Sequence, residues 1–543
     1  MASQSSAPNA ASPSPETLTW VFENEPPFDP SDTPRKLLDS NDPPSDIHFP
    51  SLRDFLSRAM PRRARLDSKI SVLKAALDKA VAERDWLDPE IRKHEGAVSS
   101  LRRIPTEILS SIFAFVGTGN LLDSEMAGPW SVSAVCSRWR AIALSTPSMW
   151  AEIDLDFDDG PDFNETDFEG RRQRLETHLE RSGQMPLVIR FQALYEYMKG
   201  RDSNCDDPEE AALGILQTHC RRWETLEIVG PASFLYGLDT HGNLPLLRSL
   251  DVYITADDDF VGNAFKVCPN LRVATVNSGE YGDGSSFPLP YDQLLRYKTS
   301  LDVSDLPSLR LASHLVDCAL HIHQYDEPLS PDTPRIQLPN LLRLSFSFAE
   351  RVPVLDFFET PALLELYHCG KQPTALPSLQ SMLKRLPKLQ KLIVVETLSV
   401  DDVTELLRAA PTITEFGAFA LIESAQQFLA ALSSDSEATS SFPSLTCVSL
   451  GLEAPPDLDS QRNPPLLDQN SFMRMLESQL HVGRGWRKVN LYCMGLSTSR
   501  SMLDRKETLR AQGMNIALFS TFYSFCRAMI PDRYLDLCGD SWA

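Results

Sequence analysis

The sequence predicts an α/β protein (α+β overall), with an N-terminal helical module followed by a curved solenoid that carries a parallel sheet. Two observations predict this fold. Apolar residues recur at helical spacing between residues 66 and 143, and from about residue 170 onward helices alternate with short strands. A single short helix-and-strand unit cannot bury its own apolar side chains. Repetition of that unit is therefore typical of a stacked array.

Composition narrows the possible functions before any motif is considered. The 543 residues carry a formal net charge of -22, which argues against nucleic acid as the main partner. No apolar run approaches the length that spans a membrane, and the first residues lack the pattern of a signal peptide. The ten cysteines occur singly, without metal-ligand spacing. We therefore expect an intracellular protein, cytoplasmic and/or nuclear, with reduced thiols, no cofactor and no membrane partner.

The first hundred residues divide into two segments. Residues 1–50 are rich in Ser, Pro and Asp, which predicts disorder. Residues 51–100 are predicted to be amphipathic helices, with coiled-coil potential and with Arg84 and His94 in the apolar seam. The seam consists of Leu66, Ile70, Leu73, Leu77, Ala80, Leu87, Ile91, Val98 and Leu101. Asp88 and Pro89 suit a helix start, so two helices are expected here. Packing against the chain's own downstream domain is the default expectation, and pairing with another chain stays open.

Residues 101–150 form the predicted helical module. In "LRRIPTEILSSIFAFV" a proline precedes a run of apolar residues at helical spacing. These residues are Ile108, Leu109, Ile112, Phe113 and Val116. In "AVCSRWRAIALSTPSMW" a second apolar face is expected, and Pro147 ends that helix. The residues of this second face are Val135, Trp139, Ile142 and Ala143.

The two stretches together resemble an F-box, the module that docks onto the Skp adaptor of SCF (Skp–cullin–F-box) E3 ubiquitin ligases. The shared features are the Ile-Pro start, the Ile-Phe pair, the Cys-x-x-Trp-Arg step and the final Pro-x-x-Trp. The arrangement is similar to the F-box-like form common in mushroom-type fungi. The resemblance covers about a tenth of the chain.

The resemblance implies which side chains would meet the adaptor. The implied adaptor-binding residues are Ile104, Pro105, Ile108, Leu109, Ile112 and Trp139. The middle segment, between Phe113 and Val135, is longer than usual, which leaves a second module helix near 119–125 open. The alternative is that these helices only cap the solenoid, since terminal units of solenoids need a cover for their apolar edge.

The rest of the chain is predicted to be an acidic linker (151–169), a solenoid (170–520) and a C-terminal tail or cap (521–543). Prolines open several of the repeated units, often about 22 to 26 residues apart, an interval typical of leucine-rich repeats. These prolines are Pro245, Pro269, Pro339, Pro361, Pro387, Pro411 and Pro443. Residues 280–335 break the period and are expected to be loops or degenerate repeats.

No motif of a catalytic site stands out. The sequence has no nucleophile elbow, no phosphate-binding loop and no dinucleotide-binding fingerprint. "HIHQYDE", residues 321–327, could form a metal or acid–base site, although a structural or solvated role is the default. By resemblance, the chain would be a non-enzymatic substrate-recognition subunit that joins a Skp-type adaptor and its cullin core to an unknown protein substrate. The alternative is a non-catalytic repeat scaffold.

Overall fold

The computed structural model describes most of the chain from residue 35 to residue 535. The described residues are 35–117, 119, 121, 128–157, 165–193, 208–240, 242–255, 262–277, 287–322, 333–348, 354–370, 376–421, 427, 444–453, 469–480, 486–493 and 500–535. The chain divides into two compact units, residues 1–108 and 109–543. Disorder is predicted for residues 1–50, of which residues 1–34 lie outside the described residues, while residues 35–50 contain one short helix and the start of a long one. Most of the predicted helix near 119–125 also lies outside the described residues.

The first unit is dominated by one long helix. A short helix, α1 (Arg35–Leu38), precedes α2 (Phe49–Val98), which runs without interruption for 50 residues. The expectation of two helices separated at Asp88 is therefore wrong. Pro61 and Pro89 both lie inside α2. A proline removes one backbone hydrogen bond and bends a helix, and the Ala, Leu, Lys, Glu and Arg residues around Pro89 are strong helix formers that continue it.

The second unit alternates helices with strands. Its helices are α3 (Thr106–Phe113), which begins before residue 109, α4 (Gly128–Val135), α5 (Ser137–Leu144), α6 (Glu165–Arg181), α7 (Pro208–Gln217), α8 (Ala232–Tyr236), α9 (Leu376–Leu383), α10 (Val400–Ala409), α11 (Gln469–Leu480), α12 (Arg500–Ala511), α13 (Phe522–Met529) and α14 (Asp532–Leu535). Its strands are β1 (Glu152–Asp156), β2 (Leu187–Gln192), β3 (Trp223–Gly230), β4 (Ser249–Ile254), β5 (Val273–Asn277), β6 (Arg296–Leu301), β7 (Asp317–Ile322), β8 (Ile336–Gln337), β9 (Arg343–Phe348), β10 (Phe358–Glu359), β11 (Glu365–Gly370), β12 (Lys391–Thr397), β13 (Glu415–Leu421), β14 (Cys447–Glu453), β15 (Lys488–Cys493) and β16 (Asn515–Phe519).

The strands of the described residues form one large parallel sheet. Its 14 strands follow one another in chain order from β1 to β16, while β8 and β10 pair separately. Sequential parallel strands need a crossover each time, and in most of the described connections short helices or 3-10 turns supply it. The predicted fold class, a helical region followed by a parallel sheet of helix-and-strand units, is confirmed.

Several units of the sheet between β4 and β13 bury apolar residues at the same four places. In the unit around β9, Leu338, Leu341, Leu344 and Phe346 are all 0% exposed. The Leu341 N–H donates to the Leu338 carbonyl at 3.3 Å, which closes the turn before the strand. Neighbouring turns are joined by side chains, such as the Asn340 amide that donates to the Ser313 carbonyl at 3.0 Å. Each unit thus completes its core and its hydrogen bonds through its neighbours.

Two regions predicted as irregular are part of the sheet. The start of the predicted acidic linker forms β1, because Ile153 and Leu155 alternate with acidic residues and are buried. The acidic composition of the segment hides this two-residue period. Within residues 280–335, β6 and β7 are connected by the 3-10 helix Val303–Leu311, which takes the place of an α-helix.

The C-terminal helices pack against the second face of the sheet, opposite the main core. Phe525, Cys526 and Met529 of α13 belong to a separate buried cluster. The strand residues of this cluster are Ala319, Tyr367, Cys369, Ile393, Val395, Phe419 and Tyr492. In α14, the Tyr534 hydroxyl donates to the Asp317 carboxylate. The described part of the predicted tail or cap, residues 521–535, therefore covers part of the sheet between β7 and β15.

Gly451→Ala should destabilise the protein by about 1–3 kcal/mol, because an alanine Cβ at this position would overlap the ring of Phe419. That ring is buried and contacts Phe522 and Phe525 of α13, so it has little room to move. The same change at Gly214 has no atom within 4 Å and lies in a helix. Gly214→Ala should therefore stabilise the protein by about 0.5–1 kcal/mol. Chemical denaturation of both variants checks the opposite signs, and equal effects would contradict the packing described for α13.

Candidate functional site

Helix α3 separates its apolar residues between two faces. A 3-10 turn, Ser100–Arg103, comes first, capped by the Ser99 hydroxyl, which accepts from the Leu101 N–H at 3.3 Å. Leu109 and Phe113 are buried in α3, at 2% and 3% exposure. Ile108 and Ile112, one turn apart on the same helix, remain 53% and 48% exposed. A short helix thus presents two branched apolar side chains to solvent.

The predicted adaptor-binding residues do not all lie on the surface. Pro105 is exposed and Ile104 is half-buried. We call Ile104, Pro105, Ile108 and Ile112 the α3 surface. Leu109, by contrast, packs in the core with Phe113, because these two residues lie about 100° around α3 from Ile108 and Ile112.

Trp139 of α5 is half-buried, with its ring centroid 4.8 Å from that of Phe113. Phe115, which the sequence reasoning missed, is 90% exposed just after α3. It follows Ile108 and Ile112 at helical spacing, and this spacing is the signal that could have identified it.

The second half of the module contains two helices rather than one apolar face. The break comes at Cys136, whose sulfur accepts from the Trp139 N–H at 3.4 Å and caps α5. Ile142 and Ala143 are buried, but Val135 belongs to the end of α4 and is 60% exposed, so its predicted place on the same buried face is wrong. A contact of 3.0 Å between the Ser110 and Thr146 hydroxyls connects α3 to the residues that follow α5.

A cluster of aromatic and basic side chains attaches the module to the first helix of the sheet region, α6. Trp150 is 0% exposed, and its indole N–H donates to the Ala143 carbonyl at 2.8 Å. The Trp130 indole N–H donates to Nε2 of His178 in α6 at 2.7 Å. The Arg181 guanidinium lies 4.6 Å and 4.5 Å from the ring centres of Trp130 and Trp150. The module therefore covers the edge of the sheet region while α3 keeps exposed apolar residues.

His178 should make stability fall on acidification. Its pKa lies at about 4, below the ordinary 6.5, because burial disfavours the charged ring and the nearby Arg181 cation disfavours it further. Between pH 6.5 and 4 the unfolded chain binds a proton here that the folded chain does not. Lowering the pH through this range should therefore cost up to about 3 kcal/mol of stability from this residue.

Denaturation curves at pH 7, 6, 5 and 4.5 measure this effect. His178→Gln keeps an acceptor for the Trp130 N–H but does not titrate, so its stability should depend less on pH than that of the unchanged chain. The exposed His314 is the control, and His314→Gln should keep the original dependence. An unchanged dependence in His178→Gln would show that this imidazole does not carry the effect.

Few described residues have surroundings that bear on metal binding or acid–base chemistry. No group of three or more His, Cys, Asp or Glu side chains there could hold a metal ion. His321 lies in β7, where its Nδ1 is 2.9 Å from the Ser347 hydroxyl, and the acidic residues of "HIHQYDE" lie outside the described residues. Burial raises the pKa of Glu396 to about 8, and the carboxylate of Asp402 adds to the shift.

None of the described helices is long and apolar enough to cross a bilayer.

Comparison with known families identifies the module alone. The F-box-like family model matches residues 101–156, from the 3-10 turn before α3 to the end of β1. No curated protein matches the chain. Residues 101–156 are thus an F-box-like domain. The sheet region beyond β1 lies outside that match, and its architecture is described from the structure.

Proposed function

We propose that this chain is a substrate-recognition subunit of an SCF E3 ubiquitin ligase. In this proposal the F-box-like domain docks a Skp-type adaptor and, through it, the cullin core. The sheet region, a leucine-rich-repeat-like solenoid, binds a protein substrate. The single observation that carries the proposal is the exposed apolar α3 surface within a domain that matches the F-box-like family.

The physical chemistry of the α3 surface suits a helix-in-groove contact. Ile108, Ile112 and Phe115 are each close to half exposed or more, and they follow one another at spacings of four and three residues. Such a row of apolar anchors is typical of a helix that lies in an apolar groove of a partner. The underlying residues Leu109 and Phe113 are buried, so the anchors stand on a packed base. A preorganised surface of this kind loses little conformational entropy on binding.

The proposed place for a protein substrate is the part of the second sheet face that α13 and α14 leave uncovered. Across β1, β2 and β3 this face carries polar side chains. Arg190 lies 3.1 Å from the Glu152 carboxylate and 3.6 Å from that of Glu227. Burial raises the pKa of Asp154, as do the neighbouring carboxylates, while Arg190 lowers it. A partner that binds here would contact exposed carboxylates. In this proposal the chain catalyses no reaction itself and holds the substrate close to the ligase core.

A second candidate function is a repeat scaffold whose F-box-like helices serve only as a cap. The cluster of Trp130, Trp150 and His178 favours this alternative, because it fastens the module to α6. Capping uses the buried face of the module and leaves the α3 surface exposed. A domain that caps the sheet region could therefore also bind an adaptor. A test of adaptor binding is what distinguishes a ligase subunit from a scaffold.

Co-expression of the full chain with a Skp-type adaptor and a cullin tests the proposal. The expected result is one stable complex that contains all three proteins on size-exclusion chromatography. A well-folded chain that elutes apart from the adaptor at micromolar concentrations would overturn the proposal and favour the scaffold.

A further inference from the structure

Helix α2 carries a long apolar seam that is open to solvent. Steps of three and four residues connect the seam positions from Leu52 to Val98. The most central members, Ile70, Leu73 and Leu77, are 49%, 40% and 62% exposed. Farther along the seam, Leu56, Leu66, Leu87, Ile91 and Val98 are also exposed. An alternation of three and four residues over more than six heptads is the pattern of a coiled coil.

A helix of this length is not expected to keep such a seam in water. Most helical stability in proteins comes from packing of an apolar face against a neighbour, and propensity contributes less. Burial of each Leu or Ile side chain removes apolar surface from water, which favours association. A partner that covers the seam would bury several such side chains on each helix.

The two prolines inside α2 lie away from the seam. When Ile70 and Leu77 are assigned to heptad position a, and Leu73 to d, Pro61 and Pro89 both fall at position f, the position farthest from the seam. The backbone groups that the two prolines leave without an i to i−4 partner therefore lie near the outer surface. The seam itself runs from Leu52 to Val98 and is interrupted by the polar side chains of Arg63, Arg84 and His94.

The charges beside the seam indicate which way a second helix would run. At the flanking g positions, Arg62 and Lys69 lie in the first half of α2, and Glu83 and Glu90 in the second half. In an antiparallel pair centred near residue 75, Arg62 faces Glu90 of the other copy, and Lys69 faces Glu83. Both pairs occur twice. Lys69 is only 8% exposed in the single chain, so its pairing with Glu83 of the other copy would replace contacts that it makes within its own chain, and the pairing of Arg62 would do the same.

A parallel pair would bring like charges together. There each g residue faces the e residue five positions later in the other copy, which pairs Lys69 with Lys74, Glu83 with Asp88 and Glu90 with Glu95, against one favourable pair of Arg62 with Asp67. The polar residues within the seam also favour the antiparallel orientation. Parallel packing places Arg84 against Arg84 at an a layer, whereas the antiparallel register places Arg84 against Leu66 of the other copy. Charge complementarity thus selects one orientation and one partner, a second copy of this chain.

We propose that two copies of this chain pair through α2 as an antiparallel coiled coil centred near residues 75 and 76. The pairing covers the seam on both helices and leaves positions b, c and f exposed. The two Val98 residues, directly before the F-box-like domains, then lie roughly 70 Å apart along the coiled coil, at a rise of about 1.5 Å per residue. A dimer of this kind carries two α3 surfaces.

Light scattering of the full chain tests the pairing. The chain has a mass of 60.7 kDa, and the expected result is a particle of twice that mass at micromolar concentrations. Leu73→Asp with Leu77→Asp should weaken dimerisation by at least a hundredfold, lower the helical signal of α2 in circular dichroism, and keep the urea unfolding transition of the sheet region, since both residues are exposed on α2. Ala82→Asp, at an f position of the same helix, is the matched control and should stay dimeric. A monomeric unchanged chain, or a dimer that survives the double substitution, would overturn the proposal.

Two cysteine substitutions test the orientation. Ala76 lies at a g position close to the two-fold axis of the antiparallel pair, so Ala76→Cys should form a disulfide-linked dimer under mild oxidation. Leu77 meets its own copy only in a parallel pair, so Leu77→Cys should form far less. Both variants are compared with the unchanged chain, in which Cys136 is already exposed. Preferential crosslinking of Leu77→Cys would contradict the antiparallel arrangement.

Discussion

A full-length chain that carries both Ile108→Asp and Ile112→Asp should bind a Skp-type adaptor at least a hundredfold more weakly than the unchanged chain. Both side chains are about half exposed on α3, so the substitutions leave the module's core of Leu109 and Phe113 in place. On binding, each aspartate would be buried in an apolar groove without a partner, which is strongly unfavourable. Titration calorimetry or interferometry with purified adaptor measures the loss.

The matched control places the same chemical change elsewhere in the second unit. Leu311 ends a 3-10 helix of the sheet region and is 64% exposed, so Leu311→Asp should leave adaptor affinity within about threefold of the original. If the double variant bound as tightly as this control, the α3 surface would not be the docking site.

Trp150→Ala should be among the most destabilising single substitutions in the F-box-like domain, with an expected loss of about 3–5 kcal/mol. The indole is 0% exposed, donates to the Ala143 carbonyl, and lies against Trp130 at a centroid distance of 5.4 Å. Its removal leaves a cavity and deprives Arg181 of one of its two aromatic contacts. Urea denaturation followed by circular dichroism measures the change.

A second tryptophan in the same chain is the control for that measurement. Trp86 lies on α2 and is 65% exposed, so Trp86→Ala should change stability by less than about 0.5 kcal/mol. Equal losses from the two substitutions would mean that the aromatic cluster around His178 does not hold the domain against α6.

The sequence predicts repeating local structure well and long-range contacts poorly. In the unit around β9, the alternation of Leu344 and Phe346 with serines is enough to predict a strand, because every second side chain of a strand points to the same face. The same period is present in β1. There it is hidden by Glu152, Asp154 and Asp156, which are acidic because they lie on the polar second face.

In the candidate site, too, local structure could be predicted from the sequence and long-range contacts could not. The spacing of Ile108, Leu109 and Ile112 predicts an apolar helix, but spacing alone does not show which of these residues a neighbouring element covers. Leu109 is buried for that reason, although the sequence placed it with the exposed residues. The hydrogen bond from Trp130 to His178 joins residues 48 positions apart, and the cover that α13 provides over Phe419 spans about a hundred residues. Such contacts depend on the completed sheet.

Hydrogen exchange of the full chain with and without a Skp-type adaptor tests docking through the F-box-like domain. We expect slower exchange on binding in residues 101–116 and in the module around Trp139. Exchange in the strands from β7 to β15 should stay unchanged. Protection confined to the sheet region, or no protection at adaptor concentrations that saturate an F-box protein known to bind it, would contradict docking through the F-box-like domain.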